Sequence, residues 1–172
     1  MFRIDNYIED WVGRFSLISD EPAEIVMRER FFRIDSITSL SGFLTNLTRV
    51  KSPCVAYVTQ FDADLIADKK DLVTQSCKLF FLVNEGNVTT PMRESSLRDT
   101  ESKIFGFELA QHFLNYMVED LDKRHGNEVK LDLSGGTLFT LPSQFNGWWP
   151  TELIFDLIYK RSRCIDYTLY KC

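Results

Sequence analysis

The sequence predicts an α+β domain: an antiparallel or mixed sheet of about four to six strands, with one long helix on a face and a second helix at the N-terminus. Three stretches carry that expectation. Residues 100–126, TESKIFGFELAQHFLNYMVEDLDKRHG, form the longest run in which apolar side chains recur at helical spacing. Residues 72–84 and 149–159 each alternate with the two-residue period of a strand. The whole chain, 1–172, reads as a single domain.

The elements follow in order. Ile4, Tyr7, Ile8, Trp11, Phe15 and Ile18 step by three and four, which predicts an amphipathic helix over 2–18 with Asp5, Glu9 and Asp10 on its polar face. Ser19-Asp20-Glu21-Pro22 breaks it, and Pro22 suits the first position of a new turn. Residues 23–35 admit either a strand or the end of a short helix. Ile37, Leu40, Leu44 and Leu47 predict a short helix over 36–47, weakened by Gly42. PCVAYVTQ, 53–60, is rich in β-branched and aromatic residues and predicts a strand, with Pro53 at its start. The polar run 62–71 forms the tip of a long hairpin whose second arm is 72–84. There Val73, Gln75, Cys77, Leu79, Phe81 and Val83 share one face, and the arm joins the core from Leu79 onward. Residues 85–98, with Gly86, Pro91 and several Ser and Thr, predict a loop.

On the long helix, Ile104, Phe107, Gln111, Leu114, Met117, Val118 and Leu121 form one stripe, and Phe105, Leu109, Phe113 and Tyr116 a second. Asp99 or Thr100 would cap its start, and Gly126 its end. Gly106 marks either close approach to the sheet or a frayed first turn. Beyond it, Val129–Leu133 alternates as a strand, Ser134-Gly135-Gly136 turns the chain, and 137–141 pairs back. In 149–159, Trp149, Thr151, Leu153, Phe155, Leu157 and Tyr159 face one way, with Glu152, Ile154, Asp156 and Ile158 opposite. Residues 165–170 would add a last strand.

Composition excludes several function classes. Net charge is −5, which disfavours broad electrostatic binding to nucleic acid. No apolar run approaches the ~20 residues that span a bilayer. The opening MFRIDNYIEDW carries acids where a secretion signal is apolar, so a cytosolic setting with reduced thiols is expected. Cys54, Cys77, Cys164 and Cys172 form no CxxC pair. Glu108 and His112 lie one helical turn apart, but nothing nominates the further ligands a metal needs. The adjacent Trp148 and Trp149 either stack on a ligand or split across a strand. No catalytic, cofactor-binding or metal-ligating residue is expected, and no cofactor.

Charge is uneven. Residues 1–24 set Arg3 and Arg14 against Asp5, Glu9, Asp10, Asp20, Glu21 and Glu24, whereas 159–172 set Lys160, Arg161, Arg163 and Lys171 against Asp166. These are either two solvated faces or the flanks of a head-to-tail contact between copies.

With the SPCVAYVTQ strand after the opening helices and GWWPTELIFDLIYK near the end, the element order resembles the tail-terminator and tail-completion (head–tail connector) proteins of tailed bacteriophages. The resemblance covers most of the chain, 1–170, in order and strand texture rather than motif. It implies a non-enzymatic virion protein, assembled in the host cytoplasm, that forms a homo-oligomeric ring and meets tail-tube or connector proteins. It also implies that 62–71 and 85–98 are arms reaching neighbours. The expected oligomer contacts are Asp62, Asp64, Asp68, Lys69, Lys70, Arg93, Lys160, Arg161 and Arg163, with no membrane and no sequence-specific nucleic acid. The alternatives are a cytosolic peptide or small-ligand binding module without catalysis, and an enzyme using Cys54, Cys77 or Cys164 with a histidine.

Overall fold

The computed structural model describes residues 3–15, 18, 30–35, 51–59, 63–65, 72–84, 95–142 and 147–160, with the backbone alone at 63–65 and 95–99. Within them run α1 (Ile4–Arg14), β1 (Phe31–Ile34), β2 (Cys54–Val58), β3 (Ala63–Leu65), β4 (Leu72–Asn84), α2 (Ser95–His125), a single 3₁₀ turn (Gly126–Glu128), β5 (Val129–Thr140) and β6 (Trp148–Lys160). The fold is α+β. The strands form one mixed sheet in the order β1-β2-β4-β6-β5, and the short β3 continues the β2 side of β4. Only β1 and β2 run parallel; all other pairs are antiparallel.

The sheet is built on the β4–β6 ladder, which runs in unbroken register from Leu72 opposite Lys160 to Asn84 opposite Trp148. That register aligns the two alternating faces. Cys77 lies opposite Phe155, Leu79 opposite Leu153, and Phe81 opposite Thr151. Cys77, Leu79, Phe81, Leu153, Phe155 and Leu157 join the main core against α1 and α2. The reverse face of β4 is polar through Lys78 and apolar from Phe80, so Phe80 and Leu82 bury in a second cluster with Ile34, Ala56, Val58 and Trp148, whereas the face toward α2 is buried from Val73 through Cys77 already, ahead of the expected Leu79. The tryptophans split as their alternation requires. Trp148 belongs to that second cluster, while the Lys103 ammonium of α2 lies 4.1 Å from the ring centroid of Trp149.

The long helix begins at Ser95 rather than near Thr100, so neither Asp99 nor Thr100 caps it and 95–98 are helix rather than loop. The second expected stripe packs inward, with Leu109 and Phe113 buried and Phe105 and Tyr116 against the core, but the first does so only in part, at Leu114, Met117 and Leu121. Ile104 is 52% exposed and Val118 54%, and Phe107 and Gln111 also face outward. The buried line is Ser102, Gly106, Leu109, Ala110, Phe113, Met117 and Leu121. Its N-terminal half is made of small side chains, which lets the helix backbone descend onto the sheet. A Cβ on Gly106 would meet Thr151 Oγ1 at 2.7 Å, so this glycine marks the close approach. Apolar periodicity misses the N-terminal part of the buried line because Ser, Gly and Ala carry little hydrophobic signal.

Three other expectations change, and one open choice is decided. The first helix stops at Arg14, and Phe15 is already extended. The choice at 23–35 falls to a strand at Phe31–Ile34, parallel to β2. Ser134-Gly135-Gly136 does not turn the chain. Residues 129–140 form one strand, in which a register shift between Asp132 and Thr137 bulges the chain outward against β6. A bulge keeps the strand's direction where a turn would reverse it, and glycines serve both. Part of the supposed hairpin tip, Ala63–Leu65, instead pairs with Val73–Gln75. The expected helix over 36–47 and the expected strand over 165–170 lie outside the described residues.

Candidate functional site

The acidic face of α1 is neutralised within the chain. Arg33, on β1, places Nη2 2.5 Å from Glu9 Oε2 and Nε 3.4 Å from Asp5 Oδ2, and Arg3 pairs with Asp5 at 2.7 Å. Burial by itself would raise the Asp5 carboxyl, but hydrogen bonds from Arg3 and the Asn6 backbone and the charges of Arg3 and Arg33 outweigh it, so the pKa falls below the usual carboxylate value. Asp10 pairs with Arg14, and Arg124 of α2 comes within 3.9 Å of it. Tyr7 donates its hydroxyl to Asp120 Oδ2 at 3.1 Å, and burial, then that carboxylate, pushes the phenol up. The acids of α1 therefore bind it to β1 and α2 instead of standing free for another copy.

Beside this network a groove of about 300 Å³ opens between α1 and α2, lined by Trp11, Arg14, Phe15, His112, Asn115, Tyr116 and Glu119. Trp11 stacks on Phe15 at 4.5 Å between centroids and meets Phe113 edge-on at 4.9 Å, making an aromatic floor. Arg14 is held by Asp10 and by the Tyr116 hydroxyl at 3.2 Å. His112 stands over the rim, 5.9 Å from the Phe15 ring. Glu108 and His112 both face outward on α2, and no cluster of metal-ligating side chains occurs among the described residues.

The described thiols are unsuited to nucleophilic chemistry. Cys54 and Cys77 are both 1% exposed. Burial raises both, opposed at Cys54 only by Arg30 and assisted at Cys77 by Asp156, which leaves Cys77 at about 12. Cys164 and Cys172 lie outside the described residues.

Two of the expected contact residues can be located. Asp64 lies opposite Thr74 and Lys160 opposite Leu72, so both fall at the same end of the sheet, on opposite flanks of β4. Lys160 is exposed. The same end receives the C-terminus of α2 with Lys123, Arg124 and His125. Asp62, Asp68, Lys69, Lys70, Arg93, Arg161 and Arg163 lie outside the described residues.

One surface was not anticipated. A second groove of about 300 Å³ runs between α2 and the outer edge of the sheet, lined among others by Met117, Val118, Leu121, Val129, Leu131 and Leu133. Spacing alone puts Val118 on the apolar stripe. Its exposure depends on where the sheet ends, which a one-dimensional pattern does not encode.

No protein-family model matches the chain, and no curated protein matches it significantly in sequence. No helix among the described residues is long and apolar enough to cross a membrane.

Proposed function

We propose that the chain is a ring-forming structural subunit of a phage or phage-like particle, acting as a tail terminator or head–tail connector without catalysis. The observation that carries the reading is the architecture: a long helix laid along a mixed sheet, with Asp64 and Lys160 gathered at one end of that sheet. Such a subunit needs a rigid body and a polar rim that meets copies of itself, and closed rings follow when the rotation between copies closes. The remaining expected contact residues, Asp62, Asp68, Lys69, Lys70, Arg93, Arg161 and Arg163, lie outside the described residues. The subunit's partners are then other copies of the chain and the tail-tube or connector proteins it caps.

The test is assembly. Light scattering and electron microscopy of the purified chain, alone and with tail tube, should yield rings or an ordered oligomer. Reversing Lys160, Arg161 and Arg163 to Glu should leave the fold intact, which circular dichroism checks; at the exposed Lys160 such a change costs within about 0.5 kcal/mol. Assembly should weaken, most of all at low salt. Normal assembly by the triple variant, or a strictly monomeric wild-type chain in the presence of tube, would refute the reading.

A peptide or small-ligand binding module is the second reading, favoured by the groove with its Trp11–Phe15 floor and the polar groups of Arg14, His112 and Asn115 on its rim. Trp11 fluorescence changing on titration with aromatic peptides would support it.

A further inference from the structure

Among the described residues β5 ends the sheet on this side, and none of their strands pairs with its outer edge. The bulge after Asp132 divides the edge, and the straight part ahead of it reads Val129-Lys130-Leu131-Asp132-Leu133. This segment is its own complement. Paired antiparallel with itself about Leu131, it sets Val129 opposite Leu133 and Lys130 opposite Asp132, each twice over, with Leu131 opposite its twin. We propose that residues 129–133 are the docking surface for the same residues of a second copy, joined in that register to make one sheet continuous across two chains.

Two features of the single chain favour this occupant. Asp132 sits directly opposite Asp156 of β6, a like-charge cross-strand pair that disfavours the fold when left alone. Neither carboxylate has an ion pair among the described residues, and Lys130 has none either. In the doubled sheet the second copy's Lys130 lies beside Asp132 and relieves that repulsion. The odd-numbered side chains face α2, where Leu133 is 46% exposed and Val118 54%. The twofold sets Leu133 of each copy against Val129 of the other and brings the second copy's edge over the groove. Past the five-residue core, the same register runs Gly135 and Gly136 by Asn127 and Gly126 of the second copy, where small residues leave room for the bulge. Because the bulge ends the straight edge, the contact is isologous and closes at two chains.

The inference is independent of the ring reading: the rim at Lys160 and the edge at Lys130 are altered by different variants. The experiment uses the full chain and sedimentation equilibrium. The wild type should associate. K130D and D132K should each dissociate about ten-fold more readily, because two attractive pairs become repulsive in either homodimer. An equimolar mixture of the two should regain association, since every pair is again Asp against Lys. D132K also removes the Asp132 carboxylate that accepts the Ser134 N–H at 2.9 Å, so circular dichroism of each variant and a K130D/D132N mixture check that the bulge survives. A monomeric wild type, single variants that associate like the wild type, or folded variants whose mixture regains nothing would overturn the proposal.

Discussion

Gly106→Ala should destabilise this protein even though it removes a glycine from a helix interior. Helix propensity alone favours Ala by about 1 kcal/mol. The space does not. The new Cβ falls 2.7 Å from Thr151 Oγ1 and 3.6 Å from Val83 Cγ2, where a comfortable nonbonded approach needs about 3.5 Å. Thr151 is fully buried, its χ1 is stiff, and its hydroxyl is engaged with Thr140 Oγ1 at 3.1 Å. Moving it aside breaks that bond, at about 1 kcal/mol. Lifting the helix instead disturbs Leu109, Ala110 and Phe113, and overpacking of this kind costs about 1–3 kcal/mol. The net expectation is a loss of about 1–2 kcal/mol. In a Thr151→Ala background the obstruction is gone, and Gly106→Ala should then stabilise by about 1 kcal/mol. Urea unfolding followed by tryptophan fluorescence measures all four corners of the cycle. A gain in the wild-type background, or the same effect in both backgrounds, would show that the helix does not rest on Thr151.

Other outcomes follow from the same packing. Ser102 is fully buried on α2 and its hydroxyl has no hydrogen-bond partner among the described residues; Ser102→Ala should raise stability by about 1 kcal/mol in the urea assay, and a loss would mean the hydroxyl is bonded. The folded-state pKa of Asp5 lies below its unfolded value, so the unfolded chain binds more protons and stability rises with pH across that interval. The contribution is complete above the unfolded value of about 3.9 and disappears as pH falls through the folded one. Arg33→Gln should flatten the acid limb of a stability–pH profile, and an unchanged slope would discount the Arg33 pairing. Cys54 and Cys77 should resist alkylation at mildly alkaline pH in the native protein and react at the rate of unfolding; rapid native labelling of either would contradict its burial.

How much of this was legible in the sequence differs by element, and the reason is the kind of signal each carries. β4 and β6 alternate bulky and polar side chains over thirteen residues each, and both were placed within a residue of their ends with their faces right. On α2 the stripe through Leu109 and Phe113 is legible, but Ile104, Phe107 and Val118 mislead, because the first turns that touch the sheet are marked by smallness at Ser102, Gly106 and Ala110. Ser134-Gly135-Gly136 was read as a reversal because local chemistry cannot separate a turn from a bulge; the unbroken partner strand β6 decides it. Asp64 and Lys160 could be nominated individually, but that they share one end of the sheet follows only from the β3–β4–β6 register. The α1–α2 groove was invisible, since Trp11, Phe15 and His112 meet only once the two helices pack. The acidic face of α1 was seen, yet its partner proved to be Arg33 on a strand the sequence left undecided.

β6 follows every other described strand along the chain, yet it lies between β4 and β5. During synthesis, the growing polypeptide must therefore hold two long, unsatisfied strands apart until residue 160 has emerged. Nothing earlier can close that gap, because the ladder joining Leu72 to Lys160 spans about half the chain. Contacts this distant form slowly. A ribosome paused before Trp148 would present a half-built sheet with both inner borders open, and the cell's holding chaperones would find their natural client at that moment.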